Sequence, residues 1–122
     1  MNNYGKRPMS FDEYQELASR TEKADMGQID SVTHMALGLA GEVGEVVELV
    51  KKWRFHGKPL PAAVMMDELS DVLWYLAGMA RQFGLSFEGI AVHNIKKLEQ
   101  RYPEGFVKGG GNRVPADDGS GT

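Results

Sequence analysis

The sequence predicts an all-α protein in which a hairpin of two long helices is flanked by shorter helices. Two stretches, 32 to about 54 and 62 to 83, repeat apolar residues every three or four positions, the spacing of a helix buried along one stripe. No stretch of any length has the alternation of a β-strand. The apolar residues of the long helices occupy more than one face, and a chain of 122 residues forms only a small core. We therefore expect a homo-oligomer.

The first part of the chain should contain a short helix and a linker before the hairpin. Ser10-Phe11-Asp12-Glu13 has the form of a capping box and predicts a helix from about 10 to 23. Residues 23–30 contain a glycine and two aspartates, show no apolar period, and are predicted to be a linker. Ser31 is the expected N-cap of the next helix.

The second part of the chain carries the signals for the hairpin turn and the last helix. Residues 55–61 hold one glycine and two prolines and predict the turn. Gly84 is expected to follow the end of the third helix. Ser86 is expected to cap a fourth helix that runs to about Arg101, and Pro103 prevents its continuation.

Three parts of the chain follow from these signals. Residues 1–30 are the N-terminal helix and linker, and residues 31–106 are the helical domain with the acidic motifs described below. Residues 107–122 are rich in glycine and polar residues, and we expect a flexible C-terminal tail.

Composition excludes several classes of protein. No stretch approaches the ~20 apolar residues of a membrane span, so no membrane partner is expected. The absence of cysteine excludes disulfides, thiolate metal sites and cysteine nucleophiles. The first eight residues lack an apolar signal core, which makes the cytoplasm the expected location. A net charge of -3 argues against a stable nucleic-acid partner, because such proteins usually carry a basic excess.

Two pairs of acidic residues repeat one spacing on the two hairpin helices. Glu42 and Glu45 are three residues apart, as are Glu68 and Asp71, so each pair lies on one helix face. Four carboxylates converging between two helices would repel one another and raise their pKa values unless a cation neutralised them. The alternative is that each pair is a solvated helix face with local salt bridges. The repetition on adjacent helices favours a divalent metal site.

The surrounding residue types favour a metal held by oxygen alone. The residues three positions before the three histidines are Ser31, Trp53 and Ile90, so the Glu-x-x-His motif of di-iron bundles is absent. No histidine is placed in the sequence to activate Ser70 as a nucleophile. We expect Mg²⁺, with Mn²⁺ as the alternative, because both prefer oxygen ligands.

Three glycines interrupt the first hairpin helix at three-residue spacing: Gly38, Gly41 and Gly44. Each costs up to about 1 kcal/mol relative to alanine in a helix interior. Either close contact with another helix or room for a ligand would compensate for them.

Three segments taken together resemble the MazG-like nucleoside triphosphate pyrophosphohydrolases of the all-α NTP pyrophosphatase superfamily. They are residues 41–45 (Gly-Glu-Val-Gly-Glu), residues 67–76 (Asp-Glu-Leu-Ser-Asp-Val-Leu-Trp-Tyr-Leu) and residues 94–106, which begin with Asn-Ile-Lys-Lys and contain Arg-Tyr-Pro. The resemblance covers roughly residues 31–106. Its specificity comes from the order of the motifs and the gaps between them.

The resemblance implies an enzyme that uses Mg²⁺ to cleave a nucleoside triphosphate between its α and β phosphates, giving the monophosphate and pyrophosphate. It also implies dimers, or tetramers made of two dimers, in which four-helix-bundle units build the active sites. Residues 31–106 would be the catalytic domain. The implied metal ligands and catalytic residues are Glu42, Glu45, Glu68 and Asp71. The implied nucleotide contacts are Asn94, Lys97, Arg101 and Tyr102.

Other side chains are candidates for nucleotide binding from their position alone. Lys97 and Arg101, four residues apart on one helix face, suit a phosphate clamp or a solvated basic face. A second basic cluster near the hairpin turn suits phosphate contacts or solvated surface equally well: Lys51, Lys52, Arg54 and Lys58. The candidates for a base pocket, which needs aromatic faces and a few polar groups, are His34, Trp53, Phe55 and Trp74. Tryptophan at helical spacing also suits a core position.

Two alternatives to a general nucleotide pyrophosphohydrolase stay open from the sequence. One is a pyrophosphatase specific for dUTP or dCTP, since related all-α folds include such members. The other is a helical oligomer that binds metal or nucleotide without turnover. The four intact acidic positions disfavour a homologue that has lost its activity.

Overall fold

The computed structural model describes residues 4–105, which form four helices and no β-strand. The helices are α1 (Phe11–Ser19), α2 (Gln28–His56), α3 (Ala62–Gln82) and α4 (Phe87–Arg101). The predicted all-α fold, with a long hairpin and flanking helices, is therefore confirmed. The predicted tail at 107–122 lies outside the described residues. None of the four helices is long and apolar enough to cross a bilayer.

Contacts divide the chain into two units, one that extends through Phe87 and one that starts at Glu88. The first unit holds α1, α2 and α3, and the second holds all of α4 except its first residue. Each unit is described by itself below. The predicted divisions after residues 30 and 106 stay predictions.

The first helix is capped as predicted but ends earlier than predicted. The Glu13 amide donates to the Ser10 hydroxyl at 3.0 Å, as an N-cap requires, while the Glu13 carboxylate pairs with Arg7. The helix was expected to reach residue 23 and ends at Ser19. Beyond it the amides of Thr21 and Glu22 donate to carbonyls three residues back, so the chain tightens into turns.

The predicted cap of the second helix is wrong. α2 begins at Gln28, with Gly27 as its N-cap, and Ser31 already lies inside its first turn. The Ser31 amide donates to the Gly27 carbonyl at 2.9 Å, and its buried hydroxyl contacts the Met26 carbonyl at 3.5 Å. The helix gains one turn because the polar residues before Ser31 do not break it, and Asp30 is favourable near its positive N-terminus.

The turn and helix ends in the second half follow the predicted glycines. α2 runs to His56, two residues beyond the predicted end, and Gly57 follows in the left-handed conformation with φ 64°. Gly84, with φ 66°, follows α3 as predicted, and the next amide, of Leu85, donates to the Ala80 carbonyl at 2.9 Å. α4 begins directly after Ser86 and ends at Arg101, before Pro103.

Two close contacts set the register of α2 against α3. The Tyr75 ring lies over Gly38, where a Cβ atom would overlap the ring, and the Met35 side chain lies in the same way over Gly78. Met35 and Gly38 are three residues apart on α2, and Gly78 and Tyr75 are three apart in the reverse order on α3. The two helices are therefore antiparallel and pack closely along this line. Close packing explains Gly38 among the three interior glycines of α2.

A buried glutamine fastens α1 to the end of α3 and the start of α4. The Gln15 amide nitrogen lies 3.0 Å from the Leu85 carbonyl and 3.4 Å from the Ala77 carbonyl. Its amide oxygen accepts from the Phe87 amide at 3.0 Å. The Gln15 side chain thus hydrogen-bonds three backbone groups where α3 ends and α4 begins. Leaving one such group buried without a partner would lower the free energy of unfolding by about 1–3 kcal/mol.

The apolar core of the described chain is small. The buried apolar residues are Met35, Ala77, Ala80 and Phe87. Large apolar side chains are exposed along α2 and α3, including Leu37 at 70% and Met66 at 71% of their accessible surface. This much exposed apolar surface is more than a monomeric domain usually shows.

Candidate metal centre and nucleotide site

Three of the four predicted carboxylates come together between α2 and α3. One oxygen each of Glu42, Glu68 and Asp71 lies within 4.8 Å of the others. Glu42 and Glu68 are half-buried and Asp71 is exposed. The arrangement offers three negatively charged oxygen ligands, and nitrogen or sulfur ligands are missing from this group, so its chemistry suits a hard divalent cation.

The helix register explains why these residues meet. From the contact of Gly38 with Tyr75, four residues forward on α2 is Glu42 and four residues back on α3 is Asp71. Because the helices are antiparallel, the two residues come opposite one another. Three further residues in each direction give Glu45 and Glu68. The close packing at the glycine therefore aligns both acidic pairs.

Glu45 differs from the other three acids. It is exposed and is not part of the three-oxygen cluster. It is nevertheless close enough to contribute to the raised pKa of Glu68, which has desolvation as its largest cause and the charge of Glu45 as the next. Glu42, Asp71 and Asp67 raise the same pKa further. Glu68 is therefore both desolvated and repelled by the carboxylates around it.

The remaining interior glycines of α2 border the acidic positions. A Cβ atom added at Gly41 or at Gly44 would meet no atom within 4 Å in the described chain. Within residues 4–105 of one chain, close packing therefore explains Gly38 and does not explain the other two glycines. At the other two positions the space beside the helix is open.

Tyr14 is a residue near the centre that the sequence did not reveal. Its pKa is raised, mainly by desolvation and further by the negative charge of Asp71. In the sequence Tyr14 is one of several apolar residues on the inner stripe of α1. Nothing in that pattern distinguishes a core tyrosine from one that approaches a charged site.

Two of the predicted base-pocket residues, His34 and Trp74, line one cavity. The Trp74 indole nitrogen donates to the Thr21 hydroxyl at 2.9 Å, and the indole packs edge-on against Tyr75 with 4.9 Å between ring centroids. The His34 ring lies 6.0 Å from the Tyr75 ring. The Tyr75 ring thus lies beside both His34 and Trp74, although Tyr75 is not among the residues predicted from the sequence. Gly38, which makes room for this ring, was the signal in the sequence that could have identified Tyr75.

The candidates near the hairpin turn lie at the other end of α2. Trp53 is 52% exposed and Phe55 is 73% exposed, with the Arg54 guanidinium 5.2 Å above the Phe55 ring. Neither aromatic residue lines the cavity with His34 and Trp74.

The basic candidates of α2 have an ion-pair partner on their own helix. The ammonium groups of Lys51 and Lys52 lie 3.6 Å and 3.7 Å from the Glu48 carboxylate. Both pairs are exposed, so each holds its lysine only weakly. Of the two lysines, Lys52 lies on the face that carries Glu45, seven residues or two turns away. Phosphate binding by either lysine stays a prediction.

The candidates of the last helix lie in the second unit, described by itself. Asn94, Lys97 and Arg101 recur at three- and four-residue spacing and share one face of α4, and Tyr102 follows the helix end. Lys97, Arg101 and Tyr102 are half-buried and Asn94 is exposed. The Arg101 Nε is buried and has no hydrogen-bond partner within the described residues. Their roles in nucleotide binding stay predictions.

Fold and site define a class of protein, an all-helical domain with a cluster of carboxylates between two antiparallel helices. Residues 30–106 match the MazG nucleotide pyrophosphohydrolase domain, and the chain belongs to this family. This confirms the family and the enzyme class expected from the motifs, a nucleoside triphosphate pyrophosphohydrolase.

Individual relatives include a phage protein and mammalian enzymes. The chain is 31% identical over 112 residues to the gene 37 protein of Mycobacterium phage L5. This alignment covers 85% of this chain and 98% of that protein. It is 32% identical over 92 residues to dCTP pyrophosphatase 1 of Rattus norvegicus, with 70% of this chain and 54% of that protein covered. It is 33% identical over 86 residues to dCTP pyrophosphatase 1 of Homo sapiens, with 65% of this chain and 50% of that protein covered. The chain thus spans about half the length of these dCTP pyrophosphatases. No solved structure matches it.

The raised pKa of Glu68 predicts how stability depends on pH without a divalent cation. A carboxyl group with a raised pKa binds its proton more tightly in the folded chain than in the unfolded chain. The free energy of unfolding therefore falls as the pH rises from the pKa of the unfolded chain, about 4.3, through the higher pKa of the folded chain. Glu68→Gln removes this loss. In EDTA at pH 7, urea denaturation should show the variant to be more stable than the wild type, with the difference shrinking toward pH 4.

Glu48→Gln is the matched control, because it makes the same chemical change at a glutamate of the hairpin that is not part of the cluster. Glu48 lies on α2 and pairs with Lys51 and Lys52 instead. It should give no gain in stability at pH 7. A wild type that equals or exceeds Glu68→Gln in stability at pH 7 in EDTA would show that the four carboxylates do not repel one another as described.

Proposed function

We propose that this chain is a divalent-metal-dependent nucleotide pyrophosphohydrolase that cleaves (deoxy)nucleoside triphosphates between the α and β phosphates. The observation that carries the proposal is the cluster of Glu42, Glu68 and Asp71, whose oxygens lie within 4.8 Å of one another in a chain of the MazG pyrophosphohydrolase family. The products would be the nucleoside monophosphate and pyrophosphate.

The residues present fit Mg²⁺ or Mn²⁺. Glu42, Glu68 and Asp71 would hold the ion, which would relieve the repulsion that raises the pKa of Glu68. When bound, such an ion neutralises charge on the phosphates and lowers the pKa of a water molecule.

The reaction also needs a proton acceptor from the chain. A water oxygen forms a bond to the α phosphorus, the bond from that phosphorus to the bridging oxygen breaks, and the bridging oxygen leaves with its electron pair as part of pyrophosphate. The attacking water loses a proton to a carboxylate that is free of the ion. We assign this role to Glu45, because it is the acid that lies outside the three-oxygen cluster and beside Glu68.

The basic residues are proposed to bind the phosphates. Lys52 lies two turns beyond Glu45 on the same face of α2, about 10 Å along the helix axis. This is the direction in which we expect the pyrophosphate group to extend. Arg101 of α4, whose Nε has no hydrogen-bond partner among residues 4–105, is proposed to contact a phosphate together with Asn94 and Lys97 of the same helix face. A cytoplasmic location stays a prediction.

A narrower substrate range is the second candidate. Two mammalian relatives at 32% and 33% identity are named dCTP pyrophosphatase 1, which favours dCTP among the substrates to be tested. The further alternative is a helical oligomer that binds metal or nucleotide without turnover. It predicts that no pyrophosphate is released from any nucleotide.

Pyrophosphate release from a panel of ribo- and deoxynucleoside triphosphates tests the proposal. With Mg²⁺ or Mn²⁺ the wild type should release pyrophosphate and the matching monophosphate, and EDTA should abolish the release. Asp71→Asn should lower kcat/KM at least about 100-fold, since even groups one step removed from a bound metal cost 10- to 100-fold when they are changed. Glu48→Gln, outside the cluster, should retain activity.

Orthophosphate instead of pyrophosphate as the product would contradict cleavage between the α and β phosphates. No release from any nucleotide by a folded protein, combined with metal-dependent nucleotide binding, would establish the binding module in place of the enzyme. Release confined to dCTP would establish the narrower candidate.

We also propose a homo-oligomer, because one face of α3 exposes an apolar depression. Its lining residues are Ala62, Met65, Met66, Leu69, Ser70 and Leu73. Met66 and Leu69 are 71% and 52% exposed. The depression continues along the helix that carries Glu68 and Asp71, so a second copy seated on it would exclude water near the candidate site. Burial of such a surface contributes about 25 cal/mol per Å² of apolar area.

Sedimentation equilibrium tests this surface. The wild type should have at least twice the 13.5 kDa mass of one chain, and Met66→Lys should shift it toward the monomer because a charge in a buried apolar contact is strongly unfavourable. Ile29→Lys is the control, since Ile29 is 83% exposed and does not line the depression. A monomeric wild type, or a Met66→Lys variant with unchanged mass, would contradict the proposal.

A further inference from the structure

A partly enclosed cavity of about 130 Å³ lies between the α1–α2 linker and the helical hairpin. The linker between the observed helices is residues 20–27, and it lines the cavity with Thr21, Glu22, Lys23 and Met26. The Glu22 carboxylate is paired with Arg81 at 3.6 Å. The hairpin lines the cavity with residues that include His34, Trp74 and Gln82. The linker residues precede residue 30, where the match to the MazG domain begins. One wall of the cavity therefore lies outside the matched domain.

The cavity begins one helical turn from the carboxylate cluster. On α3, Trp74 follows Asp71 by three residues, about 4.5 Å along the helix axis. On α2, His34 precedes Glu42 by eight residues, about 12 Å. Because the two helices are antiparallel, both displacements point the same way, and Lys52 lies in the opposite direction. A nucleotide with its α phosphate at the carboxylates would extend its nucleoside toward the cavity and its pyrophosphate toward Lys52.

The indole that forms one side of the cavity is held rigidly. Its nitrogen donates to the Thr21 hydroxyl at 2.9 Å, and Tyr75 packs edge-on against it at 4.9 Å between centroids. Tyr75 is itself fixed by its close contact with Gly38. Trp74 therefore cannot turn without breaking a hydrogen bond and moving a packed ring.

The other lining groups suit a flat ring with a polar edge. Lys23 offers hydrogen-bond donors, and the side chains of His34 and Gln82 each offer a donor and an acceptor. Met26 and Trp74 provide apolar surface beside them. An apolar slot with a few polar groups is the usual form of a site that orients a small planar ligand.

The size of the cavity limits what part of a nucleotide it holds. Pockets for a whole drug-sized ligand have volumes of roughly 300–1,000 Å³. A cavity of about 130 Å³ takes one portion of such a ligand, and a single six-membered ring fits it better than the fused rings of a purine. The triphosphate must then lie outside, at the carboxylates.

We propose that this cavity receives the base of the nucleoside triphosphate, that it favours a pyrimidine over a purine, and that Thr21 and Lys23 of the linker determine this preference. The inference rests on the proposed function. Thr21 acts by positioning the indole, and Lys23 acts by contacting the polar edge of the base.

Steady-state kinetics with dCTP, dTTP, dATP and dGTP test the proposal. For the wild type, kcat/KM should be at least about tenfold higher for the pyrimidines than for the purines. Lys23→Met and Thr21→Val should each raise KM for the pyrimidine nucleotides several-fold with kcat little changed, which is the loss expected for one hydrogen bond. Each variant should therefore lower the ratio of kcat/KM for pyrimidine nucleotides to kcat/KM for purine nucleotides. A residue that only supported the fold would lower activity on all four nucleotides equally.

Thr33→Val is the matched control. Thr33 is an exposed threonine of α2 whose hydroxyl bonds the Ile29 carbonyl of its own helix at 2.7 Å, and it does not line the cavity. It should leave the ratio of pyrimidine to purine turnover as in the wild type.

Equilibrium dialysis with labelled dCMP and dAMP separates failure of this inference from failure of the proposed function. Tighter binding of dCMP than dAMP, weakened by Lys23→Met, supports the cavity even if no triphosphate is hydrolysed. Hydrolysis of all four nucleotides with equal kcat/KM, or a pyrimidine preference that neither linker variant changes, overturns the inference and leaves the pyrophosphohydrolase in place. Equal binding of the two monophosphates by wild type and Lys23→Met overturns it as well.

Discussion

The register between α2 and α3 is the constraint on which the candidate site depends. Tyr75 lies over Gly38 at a distance that excludes any side chain there, and Met35 lies over Gly78 in the same way. These contacts bring the carboxylates of both helices opposite one another, where they repel. The free energy of the repulsion must be offset by packing or removed by a cation. The contact that brings the carboxylates together therefore lowers the stability of the metal-free chain, and it builds the cluster that we propose to bind a cation.

The segment before the hairpin is fastened to α3 and the turn after it by side-chain hydrogen bonds. Gln15 fastens α1 to three backbone groups near the end of α3, and Thr21 holds the indole of Trp74. The carboxylates belong to the part of the chain that matches the family, whereas the linker lies before it. We therefore propose that the chemistry belongs to the matched domain, and part of the substrate choice to the segment before it.

The sequence predicted those features that depend on local spacing. Helices α2 and α3 and the two acidic pairs are periodic patterns, and Gly84 is a local stop signal. The predicted cap at Ser31 was wrong because α2 extends through polar residues that a cap-based argument treats as linker. Which glycine is packed and which faces open space depends on the opposite helix, so the spacing left both explanations open.

Other features of the site required the tertiary structure. The separation of Glu45 from the other three acids follows from side-chain positions that the repeated spacing does not distinguish. The hydrogen bond between Thr21 and Trp74 joins residues 53 positions apart, and a threonine near the predicted end of the first helix carries no sign of it. The sequence could propose Trp74 for a base pocket and could not supply the wall opposite it.

Direct binding of Mn²⁺, followed by the loss of its free-ion EPR signal, tests the central claim that the carboxylates hold a divalent cation. The wild type should bind Mn²⁺ in competition with Mg²⁺, and Glu42→Gln should weaken binding by at least about tenfold, or 1.4 kcal/mol. Glu48→Gln should bind as the wild type does. No binding by the folded wild type, or equal binding by Glu42→Gln, would contradict the account.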